Sequence, residues 1–299
     1  MSRSRISPHG QAILIALFVT FLWSTSWVLI KFGLEEIPPL TFAGLRYLLA
    51  FLVLLPGFLK HKNKIRGLSK PAWRNLVILG IVFYALTQGG AFVALNYLDA
   101  ISFSLMLNFT PVLVGILGAA ALREFPNRWQ WMGILVFLIG VLIYFHPISE
   151  MAIGEFGLLA GGLTVCANAA ASILGRYVNR DQSIPPILVT AISMGVGDFI
   201  LLGAGFALEE KPSISLINWL IIIWLAVINT ALAFTLWNRT LQTLSAVESS
   251  IINNTMLIQV AILAVIFLGE SLSGRDVLGL FLVMVGILAV QLTNPSLDS

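Results

Sequence analysis

Charged side chains are scarce in this chain, and their scarcity excludes an ordinary soluble protein. Only 10% of its 299 residues are Asp, Glu, Lys or Arg, whereas 58% are hydrophobic. A typical soluble domain carries about 25% charged residues. A soluble fold of this composition would lack the polar side chains needed to cover its surface. The composition therefore indicates a membrane protein without a separate soluble domain.

Cysteine and histidine are also rare, which excludes common disulfide and metal chemistries. The one cysteine, Cys166, lies inside an apolar run, so it has no intrachain disulfide partner and cannot belong to a thiolate cluster. His9, His61 and His146 lie at or beyond the ends of apolar runs and are not expected to share a metal ion. The chain lacks H-E-x-x-H, G-x-S-x-G and P-loop patterns. We therefore expect no metal, no cofactor and no ATP-hydrolysing module.

Long apolar runs account for most of the sequence. A helix needs roughly 20 apolar residues to cross a hydrocarbon core about 30 Å thick. Two segments of that length, 39–59 and 186–208, hold one charge each, Arg46 and Asp198. The other runs hold none: 10–30, 75–98, 100–122, 129–145, 156–175, 212–238, 249–269 and 277–297. The sequence predicts an all-α membrane protein with ten transmembrane helices, numbered below as spans 1 to 10.

The basic residues predict the orientation of these spans, because cytoplasmic loops are enriched in Lys and Arg. If the N-terminus is cytoplasmic, the opposite side receives only Lys31, Lys211 and Arg275. The cytoplasmic side then holds Arg3, Arg5, Lys60, Lys62, Lys64, Arg66, Lys70, Arg74, Arg123, Arg128, Arg176, Arg180 and Arg239. We expect an integral protein of the cytoplasmic membrane with both termini in the cytoplasm.

The first apolar run and the net charge each have a second interpretation that we do not favour. The run at 10–30 is too long for the apolar core of a typical signal peptide and lacks a small-residue cleavage site, so we expect it to be retained. The net charge of +3 is interpreted as a topology signal, with membrane lipids and not nucleic acid as its contacts. A monomer is compatible with the sequence.

The second half of the chain repeats the first at an offset of 146 residues. The matches involve Trp, Asn, Glu and Gly, which rarely coincide by chance in so apolar a chain. They pair Trp73 with Trp219, Ala100 with Ala246, Ser104 with Ser250, Asn108 with Asn254, Glu124 with Glu270, Gly133 with Gly279 and Gly140 with Gly286. Five spans per half is an odd number, so the second half must enter the membrane from the opposite side. We predict two inverted repeats, residues 1–148 and 149–299, around a substrate site near the midplane.

Several short motifs resemble the EamA-type proteins, the ten-helix branch of the drug/metabolite transporter superfamily. In the first half they are Trp23-Ser-Thr-Ser-Trp27, Lys31, Pro38-Pro39 and Arg46. In the second half they are Trp237-Asn-Arg239, Ala246, Asn254, Leu268-Gly-Glu270, Gly279 and Gly286. The resemblance implies export of amino acids, drugs or other metabolites. Pro111 fits the proline that usually follows the Asn of span 4, but span 9 has Leu257 there, so a symmetric pair of kinked helices is not implied.

Arg46 and Asp198 are charges inside predicted spans, and such charges usually mark functional sites. Arg46 is either a structural anchor that snorkels or pairs with backbone carbonyls, or a guanidinium that binds a substrate carboxylate. Asp198 is either hydrated at a water-filled edge, or a proton-coupling residue, a partner for a substrate amine, or an ion-pair partner of Arg46. Their equivalents in the other repeat, Ser193 and Phe51, are uncharged, so a charge-based site would be one-sided.

Polar and aromatic residues inside other spans complete the candidate substrate site. Pro111 removes a backbone hydrogen bond in span 4, and we expect Asn108, Thr110 and Pro111 to face a cavity rather than serve packing alone. Asn254, the equivalent of Asn108 in span 9, is a candidate on the same argument with less force. A scattered set offers stacking and amphipathic walls to an organic substrate, with interface belts and packing as the alternative. This set is Trp23, Trp27, Tyr84, Gln88, Asn168, Asn229 and Trp237.

Glycines and two glutamates are interpreted as structural. Gly157 and Gly161 form a GxxxG pattern in span 6, which permits close helix approach. The matched glycines of spans 5 and 10 are expected to pack these helices against the body of the protein. Glu124 and Glu270 lie at corresponding span ends, where capping or loop hydrogen bonding is expected.

These features predict a secondary transporter. By the resemblance, it exports amino acids or related small metabolites by alternating access, with Arg46 holding a carboxylate and Asp198 an amine or a proton. One alternative is a proton-coupled exporter of lipophilic cations. Small multidrug carriers have a Glu in their first span, which is missing between Gly10 and Ile30, so this alternative rests on Asp198. The other is an intramembrane enzyme, for which the sequence offers no nucleophile–base pair.

Overall fold

The computed structural model describes residues 7–98, 103, 106–122, 124–146, 155–263 and 272–292. Helices make up most of this part of the chain. They are α1 (Pro8–Leu34), α2 (Pro39–Lys60), α3 (Lys62–Arg66), α4 (Lys70–Leu79), π1 (Gly80–Gly89), α5 (Gly90–Tyr97), α6 (Thr110–Leu122), α7 (Arg128–Tyr144), α8 (Glu155–Asn179), α9 (Pro186–Leu208), α10 (Leu216–Trp224), π2 (Leu225–Leu232), α11 (Ala233–Thr240), α12 (Ala246–Asn253), α13 (Met256–Leu263) and α14 (Gly274–Leu292).

The described helices confirm an all-helical protein with apolar spans. Five continuous helical stretches are long and apolar enough to cross a membrane: Pro8–Ser26, Pro39–Lys60, Glu155–Asn179, Pro186–Leu208 and Leu216–Thr240. Two shorter apolar helices are Thr110–Leu122 and Arg128–Tyr144. The count of ten spans stays a prediction.

The chain forms two compact units, and each draws on both halves of the sequence. The first unit consists of the described residues up to Gly89 together with Leu174–Ser245. The second consists of the described residues of Gly90–Ile173 and those from Ala246 onward. Helix α8 begins in the second unit, and its last residues belong to the first.

In the first unit, the equivalent helices α2 and α9 pack against each other in opposite directions. Each begins with a proline, which is favoured in the first helical turn. A side-chain carbon added to Gly44 would lie 2.9 Å from the Leu202 Cα, and one added to Gly205 would lie 2.9 Å from the Thr41 backbone nitrogen. Glycine therefore allows the two backbones to approach closely. The residue number rises along α2 as it falls along α9, so the pair is antiparallel.

In the second unit, the equivalent helices α7 and α14 pack in the same antiparallel way. A side-chain carbon added to Gly140 would lie 2.6 Å from the Gly279 carbonyl oxygen, and one added to Gly286 would lie 2.6 Å from the Gly133 carbonyl oxygen. We expected these glycines to pack their helices against the body of the protein. That prediction named the wrong packing partner, because the glycines of α7 pack against the glycines of α14.

The GxxxG pattern of α8 has one glycine whose surroundings are tight. A side-chain carbon added to Gly161 would lie 2.8 Å from the Met106 sulfur. At the neighbouring Gly162, which lies outside the pattern, nothing lies within 4 Å. The close approach at Gly161 therefore accommodates a flexible side chain.

Two π-helical segments lie at equivalent positions in spans 3 and 8. Shifting π1 by 146 residues overlays its first residue, Gly80, on Ala226 within π2. Each segment holds a threonine whose hydroxyl donates to the carbonyl five residues earlier: Thr87 to Val82 and Thr230 to Leu225, both at 2.8 Å. π-helices are rare and occur frequently at functional sites, so spans 3 and 8 draw attention as candidate site elements.

Two helix interruptions also lie at equivalent positions, in spans 4 and 9. The first lies at Asn108, immediately before α6, and the second at Asn254, between α12 and α13. Pro111 falls in the first turn of α6, where a missing N–H breaks no helical hydrogen bond. The interruption in span 9 occurs without a proline. Spans 4 and 9 are therefore both interrupted, a symmetry that the missing proline at Leu257 had not implied.

Candidate functional site

Arg46 is the buried cation of the first unit. It lies on α2 with 9% of its surface exposed. Its Nε donates to the Thr230 hydroxyl at 2.7 Å, and its Nη2 donates to the Asn229 carbonyl oxygen at 3.4 Å. The guanidinium has five N–H donors, and among the described residues the two on Nη1 have no acceptor. Arg46 is thus anchored on one edge and retains donors for a further acceptor.

Asp198 is a buried carboxylate on α9, with 4% of its surface exposed. Its Oδ1 has no hydrogen-bond partner in the described part of the chain. Tyr47 lies within electrostatic range of both Arg46 and Asp198. The ion pair between Arg46 and Asp198 is not found among the described residues, because Arg46 is directed toward π2. The direct ion pair, one of the roles predicted for Asp198, is thus not seen in this structure.

Asn229 of π2 connects α1 to the arginine. Its side-chain amide donates to the Leu22 carbonyl oxygen and, at 3.4 Å, to the Thr25 hydroxyl. Its backbone carbonyl accepts from the Trp23 indole N–H at 3.1 Å and from Arg46. The Asn229 Oδ1 is buried and has no described partner. A buried acceptor without a partner is costly, which favours a donor arriving there from a ligand.

An aromatic cluster packs beside these polar groups and consists of Trp23, Tyr47, Phe83, Tyr84, Phe234 and Trp237. The Phe234 ring centroid lies 5.0 Å from that of Trp23 and 5.5 Å from that of Tyr84. The Trp23 ring lies 5.1 Å from that of Trp237. The structure thus brings together three predicted residues. It also closes them on one another, with Tyr84 fully buried, so in this conformation they do not form open cavity walls.

Three members of the aromatic cluster were missed by the sequence reasoning: Tyr47, Phe83 and Phe234. Tyr47 follows Arg46 directly, and Phe234 precedes Trp237 by three residues, a spacing that places both on one helix face. Those positions were the available signals. Phe83 adjoins Tyr84 and had no comparable signal.

Tyr84 and Gln88 both lie on π1. The Tyr84 hydroxyl is buried and has no hydrogen-bond partner of good geometry in the described part of the chain. Ser193 is close enough to interact with it, but the Ser193 hydroxyl donates to the Val189 carbonyl oxygen at 2.6 Å. Gln88 is half-buried. The Trp27 side chain lies outside the described part of the structure.

The remaining predicted residues belong to the second unit. The Asn168 side-chain amide donates to the Thr110 hydroxyl at 3.3 Å, which joins α8 to α6. Asn108 and Pro111 are buried at the start of α6. The Asn254 Nδ2 is buried and has no described partner. The predicted set is therefore divided between the two units, with the charged and aromatic members in the first.

A buried amide network in the first unit was not predicted. The Asn179 amide donates at 2.8 Å to the Asn238 Oδ1, and the Asn238 amide donates at 3.0 Å to the Thr190 hydroxyl. The network joins α8, α11 and α9. Asn238 lies within the Trp237-Asn-Arg239 motif, so its place in that motif was the one sequence signal.

Glutamates cap helices in both units. In the first, the two Glu209 oxygens accept from the backbone N–H groups of Leu40 and Thr41 at 2.8 and 2.7 Å. In the second, Glu124 accepts from the Ala246 N–H at 3.1 Å, at the start of α12. The capping expected of Glu124 is confirmed, and Glu270 lies outside the described residues.

Glu36 fastens the loop after α1 to the start of α10. Its carboxylate accepts from the Ser215 hydroxyl at 2.7 Å, from the Ser215 N–H at 2.8 Å, and from the Asn218 amide. The hydrogen bond from the Ser215 hydroxyl is the main reason that the pKa of this exposed carboxyl is held below its usual range. The Asn218 amide and the Ser215 N–H act in the same direction, and partial desolvation opposes them.

The model of the EamA-like transporter family matches residues 10–145 and 155–292. An uncharacterized transporter, YvbV, of Bacillus subtilis is 30% identical over 220 residues, which cover 71% of this chain and 67% of that protein. A probable amino-acid metabolite efflux pump of Salmonella typhimurium is 26% identical and is matched over 91% of this chain and 92% of its own length.

Further matches extend the comparison to another named transporter and to the fold. An S-adenosylmethionine/S-adenosylhomocysteine transporter of Chlamydia trachomatis is 24% identical, with 87% of this chain and 83% of that protein covered. A solved structure titled "Crystal structure of protein" superposes with a TM-score of 0.80 at 18% identity, covering 97% of this chain and 99% of that one. At this identity, the last match shows the fold alone.

Proposed function

Because this chain belongs to the EamA-like transporter family, and so is a membrane transporter of small molecules and not an enzyme, we propose that it exports amino acids or related zwitterionic metabolites. The proposal goes beyond the family in naming the substrate. The observation that carries it is the presence, in one unit, of two buried groups that do not bond to each other. One is a guanidinium with unused N–H donors, and the other is a carboxylate with an unpartnered oxygen.

The charges of an α-amino acid complement these two groups. Its carboxylate accepts one hydrogen bond from Arg46 Nη1 and one from the second N–H of Nη2, the parallel pair that a planar fork requires. Its ammonium group donates to Asp198, with the Asn229 Oδ1 as a further acceptor. A ligand with both charges would thus use the Nη1 donors and satisfy two buried oxygens, Asp198 Oδ1 and Asn229 Oδ1, whose burial without a partner is otherwise unfavourable.

The aromatic cluster supplies the surface for the substrate side chain. In the closed packing seen here, Phe234 fills the space between Trp23 and Tyr84. Admission of a side chain requires these rings to separate, after which they offer apolar and stacking contacts. Opening and closing of this cluster is the local step that we propose accompanies alternating access.

The proposed architecture is ten spans in two inverted repeats, residues 1–148 and 149–299, in the cytoplasmic membrane with both termini in the cytoplasm. It is supported by the antiparallel packing of α2 with α9 and of α7 with α14, since each pair consists of equivalent helices. It is also supported by the two separate family matches. Inverted repeats of this kind permit alternating access around a central site.

Counterflow in proteoliposomes tests the substrate class. Vesicles loaded with one unlabelled amino acid at a time are diluted into its labelled form, and sugars and organic cations are assayed in parallel. We expect accumulation of at least one amino acid, which excess unlabelled amino acid abolishes. Counterflow of a sugar or an organic cation alone would overturn the assignment.

A second candidate, export of lipophilic cations, rests on Asp198 beside the aromatic cluster. A carboxylate among aromatic rings can hold an organic cation by charge and by cation–π contact. In that case counterflow of the cation would depend on Asp198 and not on Arg46. The same panel, assayed with Asp198→Asn and Arg46→Ala, separates the two candidates.

A further inference from the structure

The two π-helical segments occupy equivalent positions, but among the hydrogen bonds of the described residues a charged side chain is a partner of π2 and not of π1. In π1, the Thr87 hydroxyl donates to the Val82 carbonyl oxygen at 2.8 Å. In π2, the Thr230 hydroxyl makes the same kind of bond to Leu225 at 2.8 Å and also accepts from Arg46 Nε at 2.7 Å. Both segments therefore contain a threonine hydroxyl bonded to the carbonyl five residues earlier, but in π2 that hydroxyl also binds Arg46.

The bond to Leu225 determines what the Thr230 hydroxyl offers to the arginine. A hydroxyl has one hydrogen to donate and two lone pairs. Because the Leu225 carbonyl takes that hydrogen, the oxygen presents lone pairs to Arg46, as a guanidinium without acceptors of its own requires. Thr230 is buried, so little water competes for this position.

The second bond to π2 fixes the plane of the guanidinium. Nη2 donates to the Asn229 carbonyl oxygen at 3.4 Å, while Nε donates to Thr230. These two contacts lie on one edge of the group. A planar group held along one edge has its opposite donors, those of Nη1, in a defined direction.

We propose that Thr230 is a positioning residue for the substrate: π2 orients Arg46 so that Nη1 meets the substrate carboxylate. The inference rests on the proposed function, in which Arg46 binds that carboxylate. It adds that specificity for carboxylated substrates depends on a residue that contacts Arg46 and not the substrate. The π-helical turn sets the direction of the Thr230 hydroxyl.

The equivalent contact in the other repeat involves no charged residue, so the proposed role applies to Thr230 alone. Arg46 is equivalent to Ser193, and Thr230 is equivalent to Tyr84, so the matching contact involves two neutral groups. Thr87 makes a back-bond of the same length in π1 without a described cation. Thr87→Val is therefore a matched control for the loss of a hydroxyl from a π-helical segment.

The test measures counterflow of the transported amino acid and of its carboxamide for Thr230→Val, Thr230→Ser, Thr87→Val and Arg46→Ala. Valine keeps the shape of threonine and lacks the hydroxyl, whereas serine keeps the hydroxyl. We expect Thr230→Val to raise the KM for the amino acid about tenfold or more with little change in maximal rate. Thr230→Ser should retain most of the wild-type affinity, and Thr87→Val should behave as wild type. The high KM for the carboxamide should be the same in Thr230→Val as in the wild type.

The outcomes separate this inference from the proposed function. If Arg46→Ala raises the KM but Thr230→Val behaves as wild type, the positioning role is wrong and the proposed function stands. If Thr230→Val and Thr87→Val lower the yield of folded protein and the maximal rate alike, the hydroxyl is structural and the inference is overturned. If Arg46→Ala leaves the amino-acid KM unchanged, Arg46 does not bind the carboxylate and the inference is overturned, whereas amino-acid export itself is overturned only if the wild type shows no counterflow of any amino acid.

Discussion

At the scale of single residues, two buried charges in one unit are held apart. Arg46 is anchored by a hydroxyl and a carbonyl, and Asp198 keeps an oxygen without a described partner. An ion pair would have allowed each to neutralise the other, as buried pairs commonly do. In the proposed function, their separation provides one group for the carboxylate and one for the ammonium of a zwitterion.

The Arg46→Ala/Asp198→Asn double replacement should therefore not restore transport. A structural ion pair loses one partner in each single variant, and the double variant then recovers, because no charge is left unpaired. In the proposed function each residue contacts the substrate separately, so the double variant should be at least as inactive as either single one. Counterflow and the yield of folded protein check this. Full activity in the double variant would contradict the account and leave the aromatic cluster as the substrate site.

Glu36 should contribute stability that depends on pH. Its pKa in the folded protein is lowered, whereas an unperturbed Glu titrates near about 4.3. Stability from this group is thus present above the unfolded pKa and is lost as the pH falls through the folded pKa. Glu36→Gln should lower the melting temperature in detergent at pH 7, and the difference from wild type should shrink toward pH 3. A difference that does not change with pH would show that the carboxylate charge is not involved.

At the scale of helices, equivalent pairs meet through glycines. Helices α7 and α14 bring Gly133 to Gly286 and Gly140 to Gly279, with backbone atoms where a side chain would have to fit. Lipid-facing helices gain little from the hydrophobic effect when they associate, so close packing provides much of their attraction. The second unit consequently depends on residues that contribute no side chain.

Gly286→Ala should destabilise the protein, and Gly118→Ala should not. The added carbon at Gly286 would lie 2.6 Å from the backbone nitrogen of Phe137, whereas at Gly118 nothing lies within 4 Å. Overpacking of this kind costs about 1–3 kcal/mol, while alanine in an open helical position gains roughly 0.5–1 kcal/mol. Thermal unfolding in detergent measures both. Equal melting temperatures for the two variants would show that α7 and α14 do not pack closely.

The sequence predicted helices better than it predicted their irregularities. Apolar runs were enough for the helical fold and the short motifs for the family, but the glycines of spans 5 and 10 were assigned the wrong packing partner. The π-helical segments could not be predicted, because a threonine that bonds four residues back gives the same pattern as one that bonds five residues back. The aromatic cluster was predicted in part, since the three-residue spacing of Phe234 from Trp237 places both on one helix face but does not show whether that face meets lipid or protein.

At the scale of the whole molecule, the proposed inverted repeat makes a prediction about sidedness. On a Cys166→Ala background, Asn63→Cys reports α3, in the segment between α2 and α4, and Glu210→Cys reports the loop that follows α9. Both positions are exposed. A membrane-impermeant maleimide applied to intact cells should label position 210 and reach position 63 only after permeabilisation. Equal labelling of both from outside would refute the inverted topology.

The central claim is that the carboxylate of an amino acid is held by Arg46. The most direct measurement compares counterflow of the transported amino acid with that of its carboxamide, in wild type and in Arg46→Ala. We predict that the wild type favours the acid by about tenfold or more, since a hydrogen bond to a charged group contributes roughly 1.5–3 kcal/mol, and that Arg46→Ala transports both equally poorly. A variant that keeps the wild-type preference for the acid would contradict the account.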